Sequence, residues 1–115
     1  MKTAIIADDE KDLVEVFSDL LSLCGVNVVA TAFNGKDALE KYQKHNPDVI
    51  LIDVAMPGYD GFYALEHIKI EHPESNIIML TGDPSMKTKE KLETMNATQI
   101  LNKPINKEIL LSLFN

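Results

Sequence analysis

The side chains able to do chemistry in this sequence cluster in four short places: Asp8-Asp9 with Glu10 behind them, Asp53, Thr81-Gly82 and Lys103-Pro104. Each lies at or near the end of a short apolar run. Carboxylates drawn together repel one another, so one of them must hold its proton more tightly or a cation must sit among them. Oxygen donors suit Mg²⁺, which uses one or two carboxylates, keeps several waters and accepts phosphate oxygens. A carboxylate can also act as a covalent nucleophile towards phosphorus. A lysine ammonium supplies a compact positive charge for a phosphoryl oxygen, and a threonine hydroxyl can donate to another. Brought to one place, these groups make a phosphoryl-transfer site in which positioning and charge do most of the work. Taken singly, each has a plainer reading. Asp8-Asp9 can be capping acids of the next helix, Thr81 a turn residue and Lys103 a surface cation. Asp53 is harder to dismiss, because a central strand seldom carries a charge without cause.

What must bring them together is legible in the pattern of apolar residues. Thr3 to Ala7, Val26 to Thr31, Asp48 to Val54, Asn76 to Leu80 and Thr98 to Leu101 are short β-rich runs, three of them continuous enough to be buried on both faces. Between them lie segments of helical period. Leu13, Val14, Phe17, Leu20, Leu21 and Cys24 form one stripe that stops at Gly25. Ala38, Leu39 and Tyr42 mark a second helix, which Asn34-Gly35 can start. Phe62, Leu65 and Ile68 mark a third. Met86 to Met95 is a weak fourth with few apolar positions, and Asn106 can cap a fifth carrying Ile109, Leu110, Leu113 and Phe114.

Short buried strands alternating with helices imply a doubly wound parallel sheet covered on both faces. For five strands the order 2-1-3-4-5 fits this length, and ligands then bind beyond the carboxyl ends of the strands, at the switch point between the first and third. Those ends carry Asp8-Asp9 and Asp53, with Thr81 and Lys103 on the same edge. The reading is a single domain over residues 1–115. Its net charge of −7 excludes general phosphate-backbone binding. No run approaches the length of a membrane span. The lone Cys24 has no partner for an internal disulfide, so a soluble, reduced, cytoplasmic setting is expected. Cys24 itself is expected to be a small core residue, and His45, His67 and His72 surface residues.

With these residues in place, the whole chain resembles the receiver domain of two-component response regulators. The run Asp53-Val54-Ala55-Met56-Pro57-Gly58-Tyr59-Asp60-Gly61 fits that family's D-x-x-M-P-x-x-D-G pattern, and Asp8-Asp9, Thr81-Gly82 and Lys103-Pro104 complete the set. The resemblance implies a flavodoxin-like three-layer sandwich. It implies that Asp53 accepts a phosphoryl group from a sensor histidine kinase or phosphotransfer protein. Mg²⁺ would be held by Asp8, through water, by Asp9 and Asp53 and by the backbone carbonyl of Ala55. Lys103 would pair with the carboxylate and then with the phosphoryl group. Thr81 would move to bind that group and so switch a downstream effector or output domain.

Two positions depart from the family pattern. Ile100 stands where an aromatic residue usually accompanies activation, and Ile105 where an aromatic is common. The aliphatic residues of the last helix exceed what one core-facing side needs, so a homodimer through that helix is one expectation and simple capping of the core is the other. Rival readings are weaker. A flavin carrier of this fold needs a glycine- and hydroxyl-rich loop after the first strand, where this chain has Asp8-Asp9-Glu10. An aspartyl phosphatase usually has a second acid two residues after the nucleophile, where Ala55 stands. An adaptor independent of phosphorylation would not need Asp53, Thr81 and Lys103 together.

Overall fold

A computed structural model of the chain describes residues 1–114. Five strands alternate with five helices: β1 (Thr3–Ala7), α1 (Lys11–Leu23), β2 (Asn27–Ala32), α2 (Gly35–His45), β3 (Val49–Asp53), α3 (Gly61–Glu71), β4 (Ile77–Thr81), α4 (Met86–Thr94), β5 (Gln99–Asn102) and α5 (Lys107–Ser112). All strand pairs are parallel and the order is β2-β1-β3-β4-β5, as expected. The register pairs Ala7 with Ile52 and Asp53 with Leu80, so the tips of β1, β3 and β4 lie side by side.

The strand period of two divides the core. Ile5, Ile50, Ile52, Ile77 and Met79 face α2, α3 and α4, packing with Ala38, Tyr42, Leu65, Ile68 and Leu92. Ala4, Ile6, Val49, Leu51, Ile78 and Leu80 face α1 and α5, packing with Val14, Phe17, Leu21 and Leu110. Continued past the tips, the same alternation carries Asp8, Asp53 and Lys103 on the α1/α5 side and Thr81 on the α4 side.

The helix ends follow their sequence cues. Asn34, Asp60, Ser85 and Asn106 each cap a helix by accepting from the backbone N–H three residues on. α1 is the exception: its N-cap is Glu10, whose side chain makes no capping bond. Leu92 is the one buried residue of α4, in keeping with its sparse apolar pattern.

Two expectations need correction. Cys24 is exposed rather than core. It is the C-cap, beyond the last helical residue, so the stripe's direction is lost before it is reached. His45 is exposed as expected, whereas His67 and His72 are half-buried. His67 Nδ1 donates to the Tyr63 carbonyl at 2.8 Å, and His72 packs on Tyr42 with ring centres 5.2 Å apart. In α5 and its last turn, Leu110 is buried, and Leu111, Leu113 and Phe114 pack against the core. Ile109 is left as the large exposed apolar side chain there, which favours capping of the core over a broad dimer face. Among the described residues, no helix is long and apolar enough to cross a membrane.

Candidate functional site

The three expected acids converge. Asp8, Asp9 and Asp53 each offer a carboxylate oxygen, and these oxygens lie within 4.8 Å of one another. β1 ends at Ala7, and the chain leaves it through Asp8, whose N–H bonds the Ala32 carbonyl at 3.0 Å. That tie holds Asp8 at the rim instead of releasing it into solvent. Asp8 Oδ1 accepts from the Glu10 N–H at 3.0 Å, fixing the turn into α1. Asp8 and Asp53 are buried while Asp9 is exposed. The cluster is therefore closed from below and open from above.

Lys103 completes it. Its Nζ lies 2.9 Å from Asp8 Oδ2, 3.3 Å from Asp53 Oδ1 and 3.8 Å from Glu10 Oε1. The lysine is placed by β5, which pairs with β4, and by its own N–H bonding the Thr81 carbonyl at 2.7 Å. One ammonium cannot neutralise this many carboxylates. Burial, and then the charge of Asp8, push the Asp53 carboxyl up to about 6 from an ordinary 3.8, against the opposing pull of Lys103. The Lys103 ammonium is held above its usual range because its bonds and charge pairing with Asp8 and Asp53 outweigh its desolvation. Burial and the repulsion anticipated from composition thus act together on Asp53, which Lys103 approaches less closely than Asp8. The donor set is all oxygen, anionic, preformed and partly open, and it fits a hard divalent cation.

The loop after β3 is fixed by two glycines whose roles the sequence did not reveal. A Cβ on Gly61 would strike the Asp53 carbonyl, and one on Gly35 would strike the Asp60 carbonyl. Gly61 N–H bonds the Val54 carbonyl at 2.8 Å and Gly35 N–H the Tyr59 carbonyl at 2.6 Å. The loop from Val54 to Asp60, which carries Ala55, is thus clamped between the end of β3 and the start of α2. Only close backbone packing demands glycine here, and a sequence lacking coordinates gives no sign of it.

Thr81 reaches the same edge but turns elsewhere. Its side chain is buried, and its Oγ1 accepts from the Asp83 N–H at 2.9 Å and donates to the Asp83 carbonyl at 3.3 Å. This follows from the strand parity noted above. Asp8, Asp9, Asp53 and Lys103 are brought together, whereas Thr81 is at the rim with its hydroxyl engaged on the far side.

The comparisons with known proteins agree with this geometry. Residues 4–115 match the family described as the response regulator receiver domain. The chain belongs to that family. Chemotaxis protein CheY of Bacillus subtilis is 40% identical over 84 residues, spanning 71% of this chain and 70% of that protein. A protein-glutamate methylesterase/protein-glutamine glutaminase of Oleidesulfovibrio alaskensis is 42% identical over 74 residues, 64% of this chain. The match covers 20% of that methylesterase, so this receiver domain spans about a fifth of its length. Among solved structures, Vibrio cholerae chemotaxis protein CheY4 superposes with a TM-score of 0.91 at 34% identity, covering 98% of this chain and 95% of that one. The CheX-CheY-BeF3-Mg²⁺ complex of Borrelia burgdorferi gives 0.91 at 25% identity, covering 96% and 84%.

Proposed function

We propose that this receiver domain is a cytoplasmic phospho-acceptor of a two-component or phosphorelay system, with Asp53 as the residue that is phosphorylated. The single observation that carries the reading is the contact of Lys103 with both Asp8 and Asp53 at the tip of the sheet, 2.9 and 3.3 Å away. A half-buried cation joined to two buried acids at the ends of separate strands is an expensive arrangement for stability alone.

The donor is a phosphohistidine on a sensor histidine kinase or phosphotransfer protein. An Asp53 carboxylate oxygen forms the new O–P bond while the P–N bond to the donor imidazole breaks. The departing imidazole nitrogen keeps the electron pair and takes a proton, and Asp53 becomes an acyl phosphate. Asp53 must be ionised to attack, and its pKa of about 6 leaves the carboxylate predominant at neutral pH. Lys103 supplies positive charge to the oxygens of the incoming group. Asp8, Asp9 and Asp53, with the Ala55 carbonyl, are the groups that would hold Mg²⁺. When bound, Mg²⁺ supplies charge neutralisation for the phosphoryl oxygens. The chain thus catalyses only its own phosphorylation and dephosphorylation, and acts on no separate substrate.

The acyl phosphate carries a charge of about −1.5 to −2 in place of the single charge of the carboxylate, and it sets strong acceptor oxygens at the tip of β3. Thr81 exchanges its Asp83 contacts for a phosphoryl oxygen, and the altered surface is read by a downstream effector or output domain. The test is labelling of the intact chain with acetyl phosphate and Mg²⁺ followed by site mapping. One phosphoryl group on Asp53 is the expected result. Labelling at another residue, or none, overturns the reading.

A further inference from the structure

The position where this family usually has a switching aromatic is Ile100, which is half-buried and has no hydroxyl to move. Thr81 and Ile100 border the same small cavity of about 120 Å³, together with Asp83 and Ser85. Ile100 offers no polar atom by which the state of Thr81 could be tied to α4. The loop between them holds a chain of hydrogen bonds. The Thr81 hydroxyl is fastened to the backbone N–H and carbonyl of Asp83. The Asp83 carboxylate is fastened in turn: Oδ1 accepts from the Ser85 N–H at 2.9 Å, and Oδ2 accepts from the Thr88 hydroxyl at 2.6 Å. Ser85 Oγ accepts from the Thr88 N–H at 3.3 Å, closing the first turn of α4.

We propose that Asp83 and Thr88 are positioning residues for Thr81. Their bracket holds its hydroxyl away from the acceptor in the unphosphorylated chain, and release of the bracket transmits phosphorylation to α4. Three observations carry this. The hydroxyl's donor and one of its acceptor sites are both spent on Asp83, so Thr81 cannot serve a phosphoryl oxygen without leaving that residue. The Thr88 bond ends on a charged carboxylate and is short, the stronger class of hydrogen bond. With Leu92 as the one buried side chain of α4, little else holds that helix's first turn in place, so loosening the bracket frees it.

The inference rests on Asp53 being the acceptor, and the experiment separates the two. Beryllofluoride, which mimics a phosphoryl group but is not hydrolysed, is titrated calorimetrically with Mg²⁺ into the full chain. D83A and T88V should each bind it about fivefold more tightly than the wild type, the scale of one lost capping bond. D83N keeps an oxygen acceptor for the Ser85 N–H but loses the charged acceptor for the Thr88 hydroxyl, so it should tighten binding to about the same extent as T88V. In a T81A background neither D83A nor T88V should change the affinity, since the effect acts through that hydroxyl. A merely structural role would lower the melting temperature of D83A and T88V and leave the affinity unmoved. Unmoved affinity in both variants, or tightening that persists without Thr81, overturns the bracket while Asp53 labelling of the wild type still stands. Absence of that labelling overturns the acceptor reading and the bracket with it.

Discussion

Lys103 Nζ lies 2.9 Å from Asp8 Oδ2, a bond between residues 95 apart in sequence, and closer than its 3.3 Å approach to Asp53. The ammonium is thus anchored on the rim of β1 and leans towards the tip of β3. The acid proposed to attack phosphorus is not the one that holds the cation in place. This division leaves Asp53 under-compensated and Lys103 free to turn towards an incoming anion without leaving the site.

Removing the cation should expose how much it compensates. Lys103→Met leaves Asp8 and Asp53 buried with no positive neighbour at that point, and breaking such a pair costs on the order of 3 kcal/mol. Chemical denaturation without Mg²⁺ should show this loss, and added Mg²⁺ should recover part of it. Initial phosphorylation by acetyl phosphate should fall about 100-fold, the scale of losing one preorganised charge at a developing anion. Lys103→Arg should retain most of the stability and less of the rate.

Asp53→Asn should move the two observables in opposite directions. Labelling is lost because the amide cannot attack phosphorus. Stability in the absence of metal should rise, because a buried carboxylate held near a pKa of about 6 instead of 3.8 costs folding energy when ionised. The gap corresponds to roughly 3 kcal/mol at neutral pH as an upper figure. A melting temperature below the wild type's would show that Asp53 is compensated better than this geometry implies.

The same group sets a pH dependence whose sign can be worked out. The folded state holds the Asp53 proton more tightly than the unfolded state, for which 3.8 applies. Between about pH 3.8 and 6 the native chain therefore binds more protons, and the contribution of Asp53 to stability declines as pH rises through that window. Asp48 and Asp83, held below 3.8 by hydrogen bonds from Thr3 and from Thr88 and Ser85, act in the opposite sense. Their stabilisation is present above that value and is lost as pH falls below it. Urea denaturation from pH 4 to 7 should show the Asp53 decline, and the slope should flatten in Asp53→Asn.

Much of this site was readable before any coordinates. The unbroken apolar run Val49, Ile50, Leu51 and Ile52 up to Asp53 marks a doubly buried strand that ends in a charge, and the sheet rule then says where that charge goes. Asp8-Asp9 and Lys103-Pro104 end their own strands, so the topology alone assembles them. Side-chain direction was less accessible. Thr81 stands at the same rim, yet its parity with Ile77 and Met79 turns it towards Asp83. Cys24 belongs to the apolar stripe by spacing but falls past the last helical residue. Gly35 and Gly61 look like turn formers, and their need arises from carbonyls of Asp60 and Asp53 that approach from other segments. Periodicity reports the face of an element; it does not report which backbone comes against it.

Mg²⁺ should stabilise the fold measurably, since a ligand that binds only the native cluster shifts the equilibrium by mass action. At tenfold excess over its Kd the gain is about 1.4 kcal/mol, on the order of 5 °C for a domain of this size. The Asp53→Asn and Asp9→Asn variants should each show a smaller shift. A melting temperature indifferent to millimolar Mg²⁺ in the wild type would contradict the cation site.

The glycine clamp gives the most discriminating steric test. Gly61→Ala places a methyl group against the Asp53 carbonyl, and neither partner can yield because both are backbone. The β3–α3 loop must move, carrying the Ala55 carbonyl with it. A cost above about 2 kcal/mol is expected, the range of overpacked core sites. The Mg²⁺-dependent rise in melting temperature should shrink at the same time, since one expected ligand is displaced. Gly82→Ala is the control: it lies at the same edge, two residues before Pro84, and an added Cβ there meets nothing within 4 Å. It should change stability by less than about 0.5 kcal/mol and leave the metal response intact. If both substitutions behaved alike, the loop would not be fixed by the approach of Gly61 to Asp53, and the placement of Ala55 at the cation site would lose its structural support.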